Sequence, residues 1–81
     1  RMKVHFYGKL SATLGCEIDL EVEYPCTIAG LRTRLTRTHP GLAEMLVDRR
    51  VRAVVGDEVV LDSHQLKPGD ELDFLAPVSG G

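Results

Sequence analysis

Thr27-Ile28-Ala29-Gly30-Leu31-Arg32-Thr33-Arg34-Leu35-Thr36-Arg37-Thr38-His39-Pro40-Gly41 decides the fold, because it holds the chain's single long helical pattern. Ile28, Leu31 and Leu35 recur at helical spacing. Thr27 is placed as an N-cap, its hydroxyl able to accept an orphan amide proton of the first turn. Pro40-Gly41 forces the stop. Gly30 weakens such a helix by about 1 kcal/mol relative to alanine, and its presence suggests close packing against a sheet. Leu42, Met45 and Leu46 predict one further short turn before the charged Asp48-Arg49-Arg50.

Strand patterns lie on both sides. Lys3 to Tyr7 sets Val4 and Phe6 between polar neighbours, which predicts a strand with one buried face. Glu17 to Glu23 alternates throughout, with Ile18, Leu20 and Val22 inward and four carboxylates outward. The loop from Gly8 to Gly15 joins the two as an antiparallel hairpin. Val51–Val55 and Glu58–Leu61 flank Gly56-Asp57, a short hairpin signal. Lys67-Pro68-Gly69-Asp70 fits a type II turn, with glycine where φ must be positive. Glu71 to Leu75 then predicts the last strand.

The order is β-β-α-β-β-β. One long helix cannot cover both faces of a sheet, so it packs on one face. The expected class is α+β: a ubiquitin-like (β-grasp) roll with a mixed sheet of about five strands on one main helix. Eighty-one residues leave room for one core, and only four aromatics make that core aliphatic. No internal repeat or low-complexity stretch interrupts it.

Self-contained chemistry is hard to find. The net charge of −2 and the lack of a basic-aromatic cluster argue against nucleic acid. No apolar run approaches the roughly 20 residues of a membrane span, and no secretory leader is visible, so the expected compartment is cytoplasmic. His5, His39 and His64 lack second ligands at metal-binding spacing, so no metal is expected. There is no phosphate-cradling glycine loop and no G-x-S-x-G serine. Cys16 and Cys26 stand ten residues apart in no activating pattern, which favours reduced structural thiols. Glu17, Asp19, Glu21 and Glu23 lie about 7 Å apart along one strand face, too far to share a cation. Arg49, Arg50 and Arg52, with Arg32, Arg34 and Arg37, make either a basic surface for an acidic partner or solvated charge.

That elimination turns attention to Leu75-Ala76-Pro77-Val78-Ser79-Gly80-Gly81. An apolar run continues out of the last strand, where solubility favours polar residues. Extended, the final six residues reach up to about 20 Å. Pro77 fixes its own φ and biases Ala76 toward extended conformations, which lessens the entropy lost on entering a channel. Gly80 and Gly81 lack Cβ atoms, fit a narrow tunnel and leave a terminal carboxyl open to attack. The chain divides accordingly into a 1–75 β-grasp domain and a 76–81 extended diglycine tail.

With those residues in place the chain resembles the small sulfur-carrier subunit of molybdopterin synthase. Three stretches carry the resemblance: Thr27 to Arg32, Leu66 to Leu72, and Phe74 to Gly81. It implies that Gly81 is adenylated and then thiocarboxylated, with Gly80 giving access. Sulfur then passes to cyclic pyranopterin monophosphate within the synthase large subunit. The implied partners are that large subunit in a heterotetramer, a ubiquitin-activating-like adenylyltransferase that uses ATP, and a sulfur donor protein. No cofactor is held permanently, and the chain is not catalytic alone; it is the sulfur-donor subunit of a sulfurtransferase. Pro77, Val78 and Ser79 would lie in the partner's channel, with Phe74 and Leu75 near the docking surface and Ala76 also among the partner-binding residues. A carrier for thiamin (thiazole) or another pathway, a ubiquitin-like protein modifier, and a plain interaction domain share the fold and stay open as alternatives.

Overall fold

The computed structural model describes residues 1–8 and 17–76. Its strands are β1 (Met2–Tyr7), β2 (Glu17–Leu20), β3 (Cys26–Thr27), β4 (Arg52–Val55), β5 (Glu58–Val60), β6 (Gln65–Leu66) and β7 (Leu72–Leu75). Helix α1 spans Ile28–Thr38; a 3-10 turn at Pro40–Leu42 leads into the single-turn helix α2, Ala43–Leu46. Five strands form one sheet in the order β2-β1-β7-β4-β5, and β3 pairs with β6 in a separate two-stranded ladder. Only β1 and β7 run parallel in the large sheet. This is the mixed-sheet β-grasp roll that the residue order predicts.

Thr27 caps α1 as expected: its Oγ1 accepts the Gly30 N–H at 3.1 Å. The next two orphan amides reach the loop after β5, Ile28 to the His64 carbonyl and Ala29 to the Asp62 carbonyl. Ile28, Leu31 and Leu35 are fully buried against Met2, Val4, Phe6, Leu72 and Phe74, so the helix covers one face of the sheet only. Leu42 brings the 3-10 turn, and Leu46 brings α2, into the same core. At Lys67–Asp70 the Asp70 N–H donates to the Lys67 carbonyl at 3.0 Å, and Gly69 takes φ +91° as a type II turn requires.

Four local expectations need correction. Strand β2 ends at Leu20, so Glu21 and Glu23 lie beyond it and Val22 is half-buried. Strand β5 ends at Val60, and Leu61 turns outward. The ladder of β3 with β6 has two residues on each side, too few for a periodic pattern to announce. Gly30 is exposed and faces no sheet; a Cβ there would sit 3.4 Å from Thr27 Oγ1, an ordinary contact. Gly30→Ala is therefore expected to raise stability by about 0.5–1 kcal/mol, read as a higher urea midpoint at unchanged slope.

Asp48 follows α2 and binds Arg50 twice, through the Arg50 backbone N–H at 2.9 Å and through its guanidinium at 2.8 Å. The Arg50 side-chain bond, then the backbone bond, lower the Asp48 carboxyl from 3.8 to about 2. A depressed carboxyl contributes stability above its unfolded value and loses it as pH falls toward the folded one. Carboxyl-carbon NMR is expected to show Asp48 titrating near pH 2. In Arg50→Ala the midpoint should rise toward the ordinary aspartate value of about 3.9, the retained backbone bond keeping it somewhat below.

Candidate functional site

Strand alternation divides β7 between the two faces of the sheet. Leu72 and Phe74 point to α1 and are wholly buried; Asp73 is half-buried and Leu75 exposed, on the face that no helix covers. The ladder register extends this open face sideways. Leu75 stands between Tyr7 of β1 on one side and Arg52 of β4 on the other, forming a row across the end of the strand. Tyr7 is 49% exposed and Leu75 38%, large apolar surface at the point where the chain leaves the sheet. Val54 and Val59 pair in the next row, with Val59 also exposed.

That next row carries charge as well. His5 Nε2 lies 2.8 Å from Glu17 Oε2, and its Nδ1 lies 3.2 Å from Asp73 Oδ1. The imidazole thus ties β2 to β7 across β1. Glu17 and Asp19 remain a solvated strand face. Among the described residues, no group of three His, Cys, Asp or Glu side chains is arranged to hold a metal ion. His39 ends α1, where its Nδ1 lies 2.9 Å from Thr38 Oγ1. Cys26 is a free, half-buried thiol donating weakly to the Thr27 carbonyl at 3.4 Å. Cys16 lies outside the described residues.

The exit itself is built by Ala76, an expected site residue, and by Gly8, which the sequence motifs do not single out as part of a site. Ala76 is past the strand, yet its N–H still donates to the Tyr7 carbonyl at 3.2 Å. The parallel ladder therefore holds the chain one residue into the expected tail. Gly8, at φ +74°, lies under that residue: a Cβ there would stand 3.0 Å from the Ala76 oxygen and 3.2 Å from its Cβ. Glycine is required both for the backbone angle and for the close passage. A lone Gly after an alternating run signals such an approach, beyond its place at the start of the Gly8–Gly15 hairpin loop.

Phe74 needs a larger correction. Expected near a docking surface, it is a core residue: its ring stacks with Phe6 at 5.9 Å between centroids. Arg32 lies over the same ring, its guanidinium carbon 5.1 Å from the centroid. That guanidinium also donates to Asp62 Oδ1 at 3.0 Å, the Leu46 carbonyl at 2.9 Å and the Val51 carbonyl at 2.6 Å. Arg32 is accordingly a structural clamp and no part of a basic surface. Arg34 donates to the Glu21 carbonyl and Arg50 serves Asp48, leaving Arg37, Arg49 and Arg52 exposed. Of the expected site residues, Leu75 and Ala76 stand at the exit; Pro77, Val78, Ser79, Gly80 and Gly81 lie outside the described residues.

Comparison with known proteins bears on this geometry. The ThiS family profile matches residues 4–81. The molybdopterin synthase sulfur carrier subunit of Escherichia coli (strain K12) is 30% identical over 81 residues, covering 99% of each chain. Small archaeal modifier protein 1 of Haloferax volcanii superposes with a TM-score of 0.82 at 19% identity, over 95% of this chain and 97% of that one. In the complex of subunits 1 and 2 of the molybdopterin-converting factor from Helicobacter pylori 26695, the matched chain gives a TM-score of 0.67. The identity there is 23%, over 99% of this chain and 97% of that one. No described helix is long and apolar enough to cross a membrane.

The opposite placements of neighbouring Phe74 and Leu75 can be tested together. Phe74→Ala is expected to cost about 3–5 kcal/mol in urea unfolding. Leu75→Ser, at the exposed exit, should cost less than about 1 kcal/mol.

Proposed function

The chain belongs to the ThiS family of ubiquitin-like sulfur carriers, and on that premise we propose that it carries sulfur for molybdopterin synthesis on Gly81. The observation that carries this reading is the exit of β7. A strand held on both sides ends beside an exposed Tyr7–Leu75 row, and the sequence that follows it is the one that ends in Gly80-Gly81. End-to-end identity of 30% with the E. coli sulfur carrier subunit supports the molybdopterin branch among the related carriers.

In this reading the folded body is a handle and the tail is the reactive arm. A carboxylate resists nucleophiles because it is anionic and has no good leaving group. A ubiquitin-activating-like partner with ATP joins the Gly81 carboxylate to the α-phosphate, releasing pyrophosphate. The resulting acyl-adenylate is electrophilic. A sulfur donor at the oxidation level of sulfide attacks its carbonyl carbon and expels AMP, leaving a thiocarboxylate. Within the synthase large subunit that sulfur is delivered to cyclic pyranopterin monophosphate. The carrier supplies no acid or base; it positions one atom inside another protein's site.

The residues divide the work. Tyr7 and Leu75 offer apolar area for docking beside the channel mouth, and Arg52 flanks them. Ala76 is held by its bond to the Tyr7 carbonyl and packs closely over Gly8, so the reactive arm in this reading begins at Pro77. Pro77, Val78 and Ser79 thread the channel, and Gly80 and Gly81 pass its narrowest part.

Incubation with the activating enzyme, ATP and a sulfide-level donor is expected to replace one Gly81 oxygen with sulfur, read by intact mass. An unmodified terminus would overturn the proposal. Loss of the gene should abolish molybdoenzyme activity without thiamin auxotrophy. Auxotrophy with normal molybdoenzymes would assign the chain to the thiazole carrier, and Gly81 in isopeptide linkage to cellular lysines would make it a modifier.

A further inference from the structure

The three arginines left exposed border a groove that the tail chemistry does not use. It encloses about 820 Å³ between α1, the segment from Leu46 to Ala53, and β5 with the two residues after it. Val47 and Leu61, on opposite walls, are 70% and 76% exposed, the highest exposures among the large apolar residues described. Arg37, Arg49 and Arg52 line the same groove and make no ion pair or side-chain hydrogen bond among the described residues.

Its charge is opposite to that of the chain as a whole. Four arginines and two aspartates line the groove, while the chain carries a formal net charge of −2. Both aspartates are already engaged, Asp48 by Arg50 and Asp62 by Arg32. A ligand therefore meets the free cations first. One wall adds a directional feature. Among the described residues strand β5 is at the edge of the sheet, paired only with β4, which leaves its outer backbone groups open to strand addition.

We propose that this groove docks an extended acidic segment of a partner protein, with carboxylates alternating with apolar residues. Period-two alternation sends one set of side chains between Val47 and Leu61 and the other toward Arg37, Arg49 and Arg52. The apolar contacts supply burial, and the arginine fork suits bidentate carboxylate recognition. Arg52 lies opposite Leu75 in the ladder, which makes the groove a neighbour of the tail exit. A segment bound here holds the carrier beside a partner without occupying the tail, and binding does not depend on the chemistry at Gly81.

The probe is a seven-residue peptide alternating glutamate with valine, titrated into the isotopically labelled full chain and followed by amide NMR. Saturable shifts are expected at Val47, Arg49, Arg52 and Leu61, with Lys3 and Asp19 unmoved. Replacing the peptide's glutamates by glutamine should weaken binding by about tenfold, as should raising salt from about 0.05 to 0.5 M. Arg37→Glu and Arg49→Glu should each weaken it by about tenfold, with Arg49→Gln as the milder variant should charge reversal disturb folding. No saturable shifts, shifts confined to the open sheet face, or binding indifferent to these changes would overturn the proposal. So would tighter binding of a uridine oligonucleotide at the same residues, or sedimentation showing that a second copy fills the groove without peptide.

Discussion

The parallel pairing of the first strand with the last is the constraint on which the rest depends. Val4, His5, Phe6 and Tyr7 stand opposite Leu72, Asp73, Phe74 and Leu75. Nearly the whole chain separates these partners, so the contact closes a long loop and its entropy must be recovered by burial. The recovery is visible on the helix side, where Val4, Phe6, Leu72 and Phe74 are all within 1% of complete burial. The same register decides the other face. It brings His5 to Asp73 and Tyr7 to Leu75, and its last bond holds Ala76 at the mouth of the exit. One ladder thus sets both the core and the position from which the tail departs.

A second joint is polar. Arg32 leaves α1, crosses the Phe74 ring and reaches acceptors on three other segments: the end of α2, the start of β4 and the turn after β5. Two of these acceptors are backbone carbonyls, and that of Leu46 closes a helix with no partner of its own in the next turn. A planar fork with five donors can meet such divergent acceptors; an ammonium on a flexible stem is less suited. The side chain is largely covered, with its aliphatic stem against the core and its charge neutralised by Asp62.

What could be read from the residues follows from how local each cause is. Helix α1 announced itself through Thr27, the Ile28–Leu31–Leu35 stripe and Pro40. The turn at Pro68-Gly69 did so through backbone angles available to few other residues. The ladder of β3 with β6 was invisible because two residues cannot show a period. Arg32 looked like any helical arginine, since its role depends on segments far along the chain. Phe74 was legible in principle: Leu72-Asp73-Phe74 alternates, and that pattern places the ring inward whatever a resemblance implies. Gly8 gave a local signal of close approach, while its neighbour Ala76 lay at the far end of the sequence.

The central place of β7 also bears on how the protein is made. Strands are synthesised in order, yet the strand between β1 and β4 comes after every other element of the domain. Until Leu72–Leu75 clears the ribosome, the sheet is two separate hairpins, and α1 has no Leu72 or Phe74 to pack against. Until then the nascent domain holds an incomplete core, with apolar strand edges within reach of chaperones. Completion of the fold waits on β7, the strand that carries the tail and closes the body that presents it.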